Sequence, residues 1–295
     1  MRARFVFLMG LVLVGLAPVW RFVLAPRWSE RIPPGWSWRS TFTGTNGSPD
    51  PKTGKFPEVD ATQIYERGIH EVSGRGANGL VELEDFVYMR DPATGKKTWE
   101  YMSRWVVDPR TGRHAKKEYS DQIYVFPRSV EKRTYKFRFN YVEGLPMAFQ
   151  GEAEIEGLQT YLFTYKGRAE YTESYQGTKD YPGVPVKPGQ EIRCADDHFI
   201  LRIWVEPVTG EILKLEERCD SGDYIYDIAS GKAVTSVLRW TGLSDGDDVI
   251  QRAEWIRARR RSLQWNTWYG PLALLGSGVL LMAAGAGLGR SRKRA

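Results

Sequence analysis

The sequence contains few of the residues that most often carry catalytic or metal-binding chemistry. Its 295 residues include three histidines and two cysteines. His70, His114 and His198 are far apart, and no HExxH spacing occurs. There is no CxxC pair and no phosphate-binding loop. These absences exclude the enzyme classes that such motifs identify, and the sequence predicts no cofactor and no metal.

The folded part of the chain also lacks an excess of positive charge. The net charge is +6, with 42 basic residues against 36 acidic ones. Six basic residues near the two ends account for the difference (42 − 6 = 36), namely Arg2, Arg4, Arg290, Arg292, Lys293 and Arg294. A nucleic-acid-binding domain needs positive charge on its folded surface. We therefore expect no nucleic-acid partner.

Two long apolar runs lie at the ends of the chain. Residues 5–25 and 267–289 are each long enough to cross a bilayer as a helix. The basic residues outside them predict cytoplasmic termini, residues 1–4 and 290–295, and an extracytoplasmic body at residues 26–246. A cleavable signal peptide ending at Ala25 is the alternative for the first run, but Pro26 disfavours cleavage there. The predicted partner is thus the lipid bilayer of the plasma membrane, through two helices.

The two cysteines lie in the predicted outer part of the chain. Cys194 and Cys219 are 25 positions apart, and two thiols in an exported domain usually form a bridge. We expect a disulfide between them. A zinc or redox pair is the alternative, but His198 would be a lone third ligand.

The best catalytic candidate is the triplet that begins two residues after Cys194. Asp196, Asp197 and His198 combine two carboxylates with an imidazole, which could perform acid–base chemistry. A solvated turn leading into a strand at Phe199 explains the triplet more simply. We therefore assign no catalytic residue.

A repeated turn phrase, acidic-Pro-x-Thr-Gly, organises the region between the helices. It occurs at residues 50–54, 91–95, 108–112 and 206–210, and a diverged copy stands at 227–231. Proline presets the second turn position, and glycine takes the positive φ that lets a strand begin. The phrases therefore predict hairpin tips, whose first and last residues include Asp91 and Gly95, Asp108 and Gly112, and Glu206 and Gly210.

Alternating apolar and polar residues predict strands between these turns. Such runs begin at residue 61 and include 80–88, 122–126, 134–139, 160–165, 199–205, 211–215 and 234–240. The predicted fold is mainly β, an antiparallel and strongly curved sheet with hairpin repeats, flanked by one transmembrane helix at each end. An internal duplication is expected around 61–150 and 157–240. Residues 27–60 are expected to form a stalk, 177–190 a loop, and 247–266 a juxtamembrane helix capped by Asp247 and Asp248.

Several of these segments resemble a known protein family. The motifs are residues 124–127, 132–135 and 157–163, together with the turn phrase at 206–210. They are similar to a two-helix exported family of high-GC Gram-positive bacteria that is labelled the PorA porin family. The resemblance covers most of the chain and implies no catalytic residues. Its label implies a channel component.

Two strands carry aromatic residues at every second position, which places them on one face. They are Tyr135, Phe137 and Phe139, and Tyr161, Phe163 and Tyr165. They form either a packed core or a groove for an apolar ligand. The predicted function is a non-enzymatic, membrane-anchored envelope domain that binds a lipid, a polymer or a protein partner. The alternatives are a hydrolase-like envelope enzyme with scattered carboxylates and a channel component.

Overall fold

The computed structural model describes residues 2–28, 30–50, 52–53, 55–58, 60–73, 76, 78–139, 142–171 and 190–294. The chain divides into two units. One contains Met1–Pro33 and Arg257–Ala295, and the other is Pro34–Ile256.

The first unit is helical. At the N-terminus, α1 (Arg2–Val19) continues through a π-helical turn (Trp20–Leu24) into α2 (Ala25–Trp28). At the C-terminus, α3 (Gly246–Gln264), whose residues up to Ile256 belong to the second unit, continues through a second π-helical turn (Trp265–Tyr269) into α4 (Gly270–Arg294). The spans Arg4–Leu24 and Gly246–Gly287 are long and apolar enough to cross a membrane.

Small residues let α1 and α4 approach closely. A β-carbon added at Gly10 would lie 2.5 Å from the carbonyl oxygen of Gly278. Membrane helices commonly pack through such glycine contacts. Near the two π-helical turns, the Trp20 indole donates to the Asn266 carbonyl oxygen at 3.1 Å. The Arg21 guanidinium lies 4.8 Å from the ring centroid of Trp268.

The second unit is built on one antiparallel sheet of ten strands, which confirms the predicted mainly β, antiparallel class. Their spatial order is β4-β3-β2-β1-β10-β9-β8-β7-β6-β5. The strands are β1 (Ser37–Gly47), β2 (Ala61–Ser73), β3 (Val81–Arg90), β4 (Lys97–Val107), β5 (Tyr135–Phe139), β6 (Val142–Ile155), β7 (Leu158–Glu170), β8 (Ile192–Val205), β9 (Ile212–Asp227) and β10 (Ala233–Ser244).

The expected stalk is wrong for β1. This strand pairs with β2 on one side and β10 on the other, so it joins the first four strands to the rest of the sheet. Trp38, Ser40 and Phe42 alternate with more exposed residues along it and are buried. The Ser, Thr and Gly content of the segment concealed this period of two.

The segment after β4 covers both edge strands of the sheet. Val107 of β4 bridges to His114, Arg113 bridges to Ile123, and Ile123 bridges to Phe137 of β5. The Ile123 N–H donates to the Lys136 carbonyl oxygen at 2.8 Å. Residues 122–126, expected as a strand, therefore form isolated bridges at Ile123 and no regular strand. They still satisfy backbone groups that an edge strand would leave unpaired.

The five turn phrases share one backbone hydrogen bond. In each, the N–H of the acidic residue donates to the carbonyl oxygen five residues later, at 2.9 to 3.0 Å. In four of them the glycine has a φ between +66° and +75°: Gly95, Gly112, Gly210 and Gly231. The phrases at 91–95, 206–210 and 227–231 join β3 to β4, β8 to β9, and β9 to β10.

The helix start after β10 differs from the prediction. Asp245, not Asp247 or Asp248, caps α3, since its Oδ1 accepts from the Asp247 N–H at 2.9 Å. The Asp248 carboxylate instead accepts from the Ser40 hydroxyl at 2.6 Å. The first turns of α3 bury Val249, Ala253 and Ile256 in a cluster completed by Leu158 and Leu213.

Candidate functional site

A shared irregularity in β8 and β9 creates the most unusual site of the molecule. The register between the two strands shifts at two places on β8, between Trp204 and Val205 and over the longer interval from Ala195 to Phe199. There Asp196 is fully buried, whereas Asp197 and His198 are exposed. The expected solvated turn is therefore wrong for Asp196, which lies within a strand. Its Oδ1 accepts from the His198 N–H at 2.8 Å.

The irregularity brings acidic groups of both strands together. One ligand-capable atom from each of Asp196, Cys219 and Asp223 lies within 4.8 Å of the others, and all three residues are buried. The Cys219 thiol donates to Asp223 Oδ1 at 3.0 Å. The Tyr171 hydroxyl donates to the same oxygen. We refer to Asp196, Glu217, Cys219 and Asp223 as the acidic cluster.

The expected disulfide is wrong, because the structure has no bond between Cys194 and Cys219. In the β8–β9 pairing Cys194 stands opposite Ile225, whereas Cys219 stands opposite Phe199. Five residues of strand extend roughly 15 Å, and a disulfide requires α-carbons within about 7 Å of each other. The strand register therefore keeps the two thiols apart.

One basic residue faces the cluster from β2. Arg67 Nη1 lies 3.0 Å from Glu217 Oε2, and both side chains are almost completely buried. Burial raises the pKa of Glu217 to about 8, although Arg67 opposes this shift. Burial also raises the pKa of Asp223 to about 7 and the pKa of the Cys219 thiol far above its usual value. Such groups are stable in the interior when protonated or when a cation compensates them.

A second buried carboxylate, that of Asp85, accepts a hydrogen bond at each of its two oxygens. Asp85 on β3 accepts from the Ser103 hydroxyl at 2.6 Å and from the Tyr124 hydroxyl at 2.5 Å, one bond to each oxygen. Asp223 differs, because both of its acceptor contacts are to Oδ1. Its Oδ2 is buried and accepts no hydrogen bond from any side chain or backbone group that the structure describes.

The predicted aromatic face is largely packed. Tyr135, Phe137 and Phe163 are buried and surround Phe126, with ring centroids 4.9 to 5.4 Å from that of Phe126. Tyr161 and Tyr165 are partly exposed. The side chain of Phe139 lies outside the described residues. A groove for an apolar ligand is therefore limited to the part of this face near Tyr161 and Tyr165.

Sequence reasoning missed Arg67, Tyr171, Glu217 and Asp223. One signal could have found Glu217, since Leu213, Leu215, Glu217 and Cys219 follow each other at every second position of β9. That alternation places a carboxylate and a thiol on the same buried face as two leucines. No local pattern links them to Asp196, which lies on another strand.

Comparison with protein families agrees with the resemblance noted in the sequence. Residues 3–287 match the model of the family described as Porin PorA. The chain belongs to the PorA porin family. No curated protein matches it. PorA membership, together with the two apolar helices, supports a membrane-associated β protein. Within the described residues of this PorA chain, one group of three or more His, Cys, Asp or Glu has metal-ligand spacing: Asp196, Cys219 and Asp223 of the acidic cluster.

Proposed function

We propose that the protein is a membrane-anchored module of the cell envelope. In this proposal the two helices span the plasma membrane, both termini lie in the cytoplasm, and the β domain lies outside. The domain is non-enzymatic and binds an envelope component, either an apolar ligand or a protein. The observation that carries the proposal is the close pairing of α1 with α4 at Gly10 and Gly278.

The ends of the helical unit support this orientation. Trp265, Trp268 and Tyr269 are exposed at one end of the C-terminal apolar span. Aromatic residues are enriched at membrane interfaces, and basic residues are enriched on the cytoplasmic side. The other end of this span carries the basic residues Arg290, Arg292, Lys293 and Arg294.

The β domain is proposed to be a strongly curved sheet that closes on itself. The pairings through Arg113 and Ile123 lead from β4 to β5, the two edge strands, which supports closure. Large side chains such as Phe126, Phe163 and Leu201 are buried completely. Small closed sheets are usually filled by side chains, whereas porins with a water-filled channel have more strands. A channel function would therefore depend on the helices of several copies.

The buried state of the acids favours binding over catalysis. Asp196 and Asp223 are completely buried, and Glu217 is almost completely buried. General acid–base catalysis needs the carboxylate within hydrogen-bond reach of a substrate. The partly exposed surface near Tyr161 and Tyr165 is the part of the predicted aromatic face that a partner can reach.

Cysteine labelling in intact cells tests the orientation. A membrane-impermeant maleimide should modify a reporter cysteine at Ser48 and spare one at Ser291. The wild-type chain is the control, because both of its cysteines are buried and should not react in the folded protein. Labelling at Ser291 with protection at Ser48 would overturn the topology.

Planar-bilayer recording with the purified full-length protein separates the anchored module from the channel. If the protein is an anchored module, we expect no unitary conductance from it. Reproducible conductance steps would favour the channel alternative, and they would leave the labelling result intact.

A further inference from the structure

We infer that Asp196, Cys219 and Asp223 form a binding site for one divalent transition-metal ion, zinc by its ligand chemistry. The site goes beyond the proposed anchoring function, and it does not depend on which side of the membrane the β domain occupies. Its three ligands come from two strands, and their donor atoms lie within 4.8 Å of one another.

The spacing suits a metal ion. Zinc binds thiolate sulfur at about 2.3 Å and carboxylate oxygen at about 2.0 to 2.2 Å in tetrahedral sites, so neighbouring ligand atoms are roughly 3 to 4 Å apart. The Cys219 sulfur and Asp223 Oδ1 are 3.0 Å apart. A bound ion would take the place of the hydrogen bond that now joins these two atoms.

The charge balance also calls for a cation. The acidic cluster contains three carboxyl groups and one thiol, and the ion pair that the structure records for it is Arg67 with Glu217. Burying several acidic groups close together is costly when they are ionised, and a bound metal ion is one way to offset that cost. A divalent cation bound by Asp196, Cys219 and Asp223 would neutralise two of the three ligand charges.

The hydrogen bonding of Asp223 is a second, independent observation in favour of a bound ion. Asp223 is completely buried, and its Oδ2 receives no hydrogen bond from the described part of the chain. Buried carboxylate oxygens normally have a partner, as both oxygens of Asp85 do. The Tyr171 hydroxyl meanwhile holds Oδ1, in the way that hydrogen bonds orient carboxylates that bind metals.

The ligand set selects among ions. A thiolate excludes magnesium and calcium as preferred occupants, because these ions take oxygen ligands. One sulfur and two carboxylate oxygens suit zinc, which leaves a fourth position open for a further ligand. On binding, the thiol proton of Cys219 leaves to solvent and a sulfur–metal bond forms, so uptake of the ion releases protons.

The test uses the full-length protein, purified in detergent with a tag that contains no histidine and stripped of metal with a chelator. Titration with zinc should give one ion per chain and raise the thermal unfolding midpoint. Cobalt in place of zinc should give a thiolate-to-cobalt charge-transfer band in the near ultraviolet. Asp223→Asn and Cys219→Ser should each weaken zinc binding at least 100-fold, and Cys219→Ser should remove the cobalt band.

Asp197→Asn is the matched control, because this neighbour of Asp196 is exposed and lies outside the ligand group. It should bind zinc as the wild type does. Failure of the wild type to bind zinc or to show the cobalt band would overturn the assignment. So would a band that survives in Asp223→Asn together with unchanged zinc affinity. If a variant unfolds, three wild-type measurements still test the assignment: the number of zinc ions bound per chain, the cobalt band and the shift of the thermal unfolding midpoint.

Discussion

Two copies of one turn phrase have the same backbone and opposite surroundings. Residues 91–95 and 206–210 each join consecutive strands, and Gly95 and Gly210 have φ values of +67° and +75°. Asp91 is half-buried and the rest of its turn is exposed, whereas Glu206 and Thr209 are completely buried. The difference comes from residues 126–130, since the Val130 N–H donates to the Pro207 carbonyl oxygen at 2.7 Å. Turn geometry is thus local, and burial is set by a distant segment.

The largest effect that separates the two turns should come from their glycines. A β-carbon at Gly210 would overlap the carbonyl oxygen of Pro127, whereas one at Gly95 would meet nothing within 4 Å. Both substitutions to alanine place a side chain at positive φ, which costs about 1 kcal/mol. We expect Gly210→Ala to lower the free energy of unfolding by about 3 kcal/mol, because overpacking adds to that strain.

Urea unfolding of the full-length protein in detergent, followed by tryptophan fluorescence, measures this pair. Gly95→Ala is the matched control, with an expected loss of about 1 kcal/mol. Equal losses in the two variants would mean that residues 126–130 do not pack on the second turn as the structure has them.

The same contrast explains how far the sequence could predict the fold. The turns could be predicted because proline, threonine and glycine act within five residues of one another, and most strands follow from alternation. The covering of the 206–210 turn and the pairing of β1 with β10 could not. They depend on contacts between residues such as Asn46 and Trp240, which lie far apart in the sequence.

The acidic cluster shows the same limit at the candidate site. Asp196 was recognised as an acidic candidate and Cys219 as a half of a disulfide, but not as neighbours. Their proximity depends on the shifted register between β8 and β9. A bulge of this kind leaves no pattern in a single sequence. The expected disulfide was wrong for the same reason, because cysteine spacing alone does not specify strand register.

A smaller effect should follow from the acidic side chains of the two turns. Glu206 Oε2 accepts from the Thr209 N–H and hydroxyl, each at 2.7 Å, in a buried position. Glu206→Ala would leave these donors without that acceptor and away from water, at a cost of about 2 kcal/mol. In Asp91→Ala, water can replace the carboxylate, and the expected loss is about 0.5 kcal/mol. The same unfolding assay compares them, and a larger loss for Asp91→Ala would contradict the assigned burial.

The smallest expected change in stability is a pH effect near the turn copy at residues 108–112, which is followed by the buried His114. Burial, with the charges of Arg138 and Lys116, lowers the pKa of His114 to about 4. In the unfolded chain this pKa is about 6.5. As the pH falls below about 6.5, the unfolded state therefore gains a proton that the folded state does not accept until about pH 4. Stability should fall over that range, by on the order of 1 kcal/mol between pH 7 and pH 5.

His114→Asn isolates this contribution, because asparagine does not titrate and can accept from the Lys116 N–H as His114 Nδ1 does, at 3.2 Å. Urea midpoints at pH 7, 6 and 5 should fall less steeply in the variant than in the wild type. Parallel slopes for wild type and His114→Asn would show that this turn copy, unlike the one at 206–210, leads into a segment that water reaches.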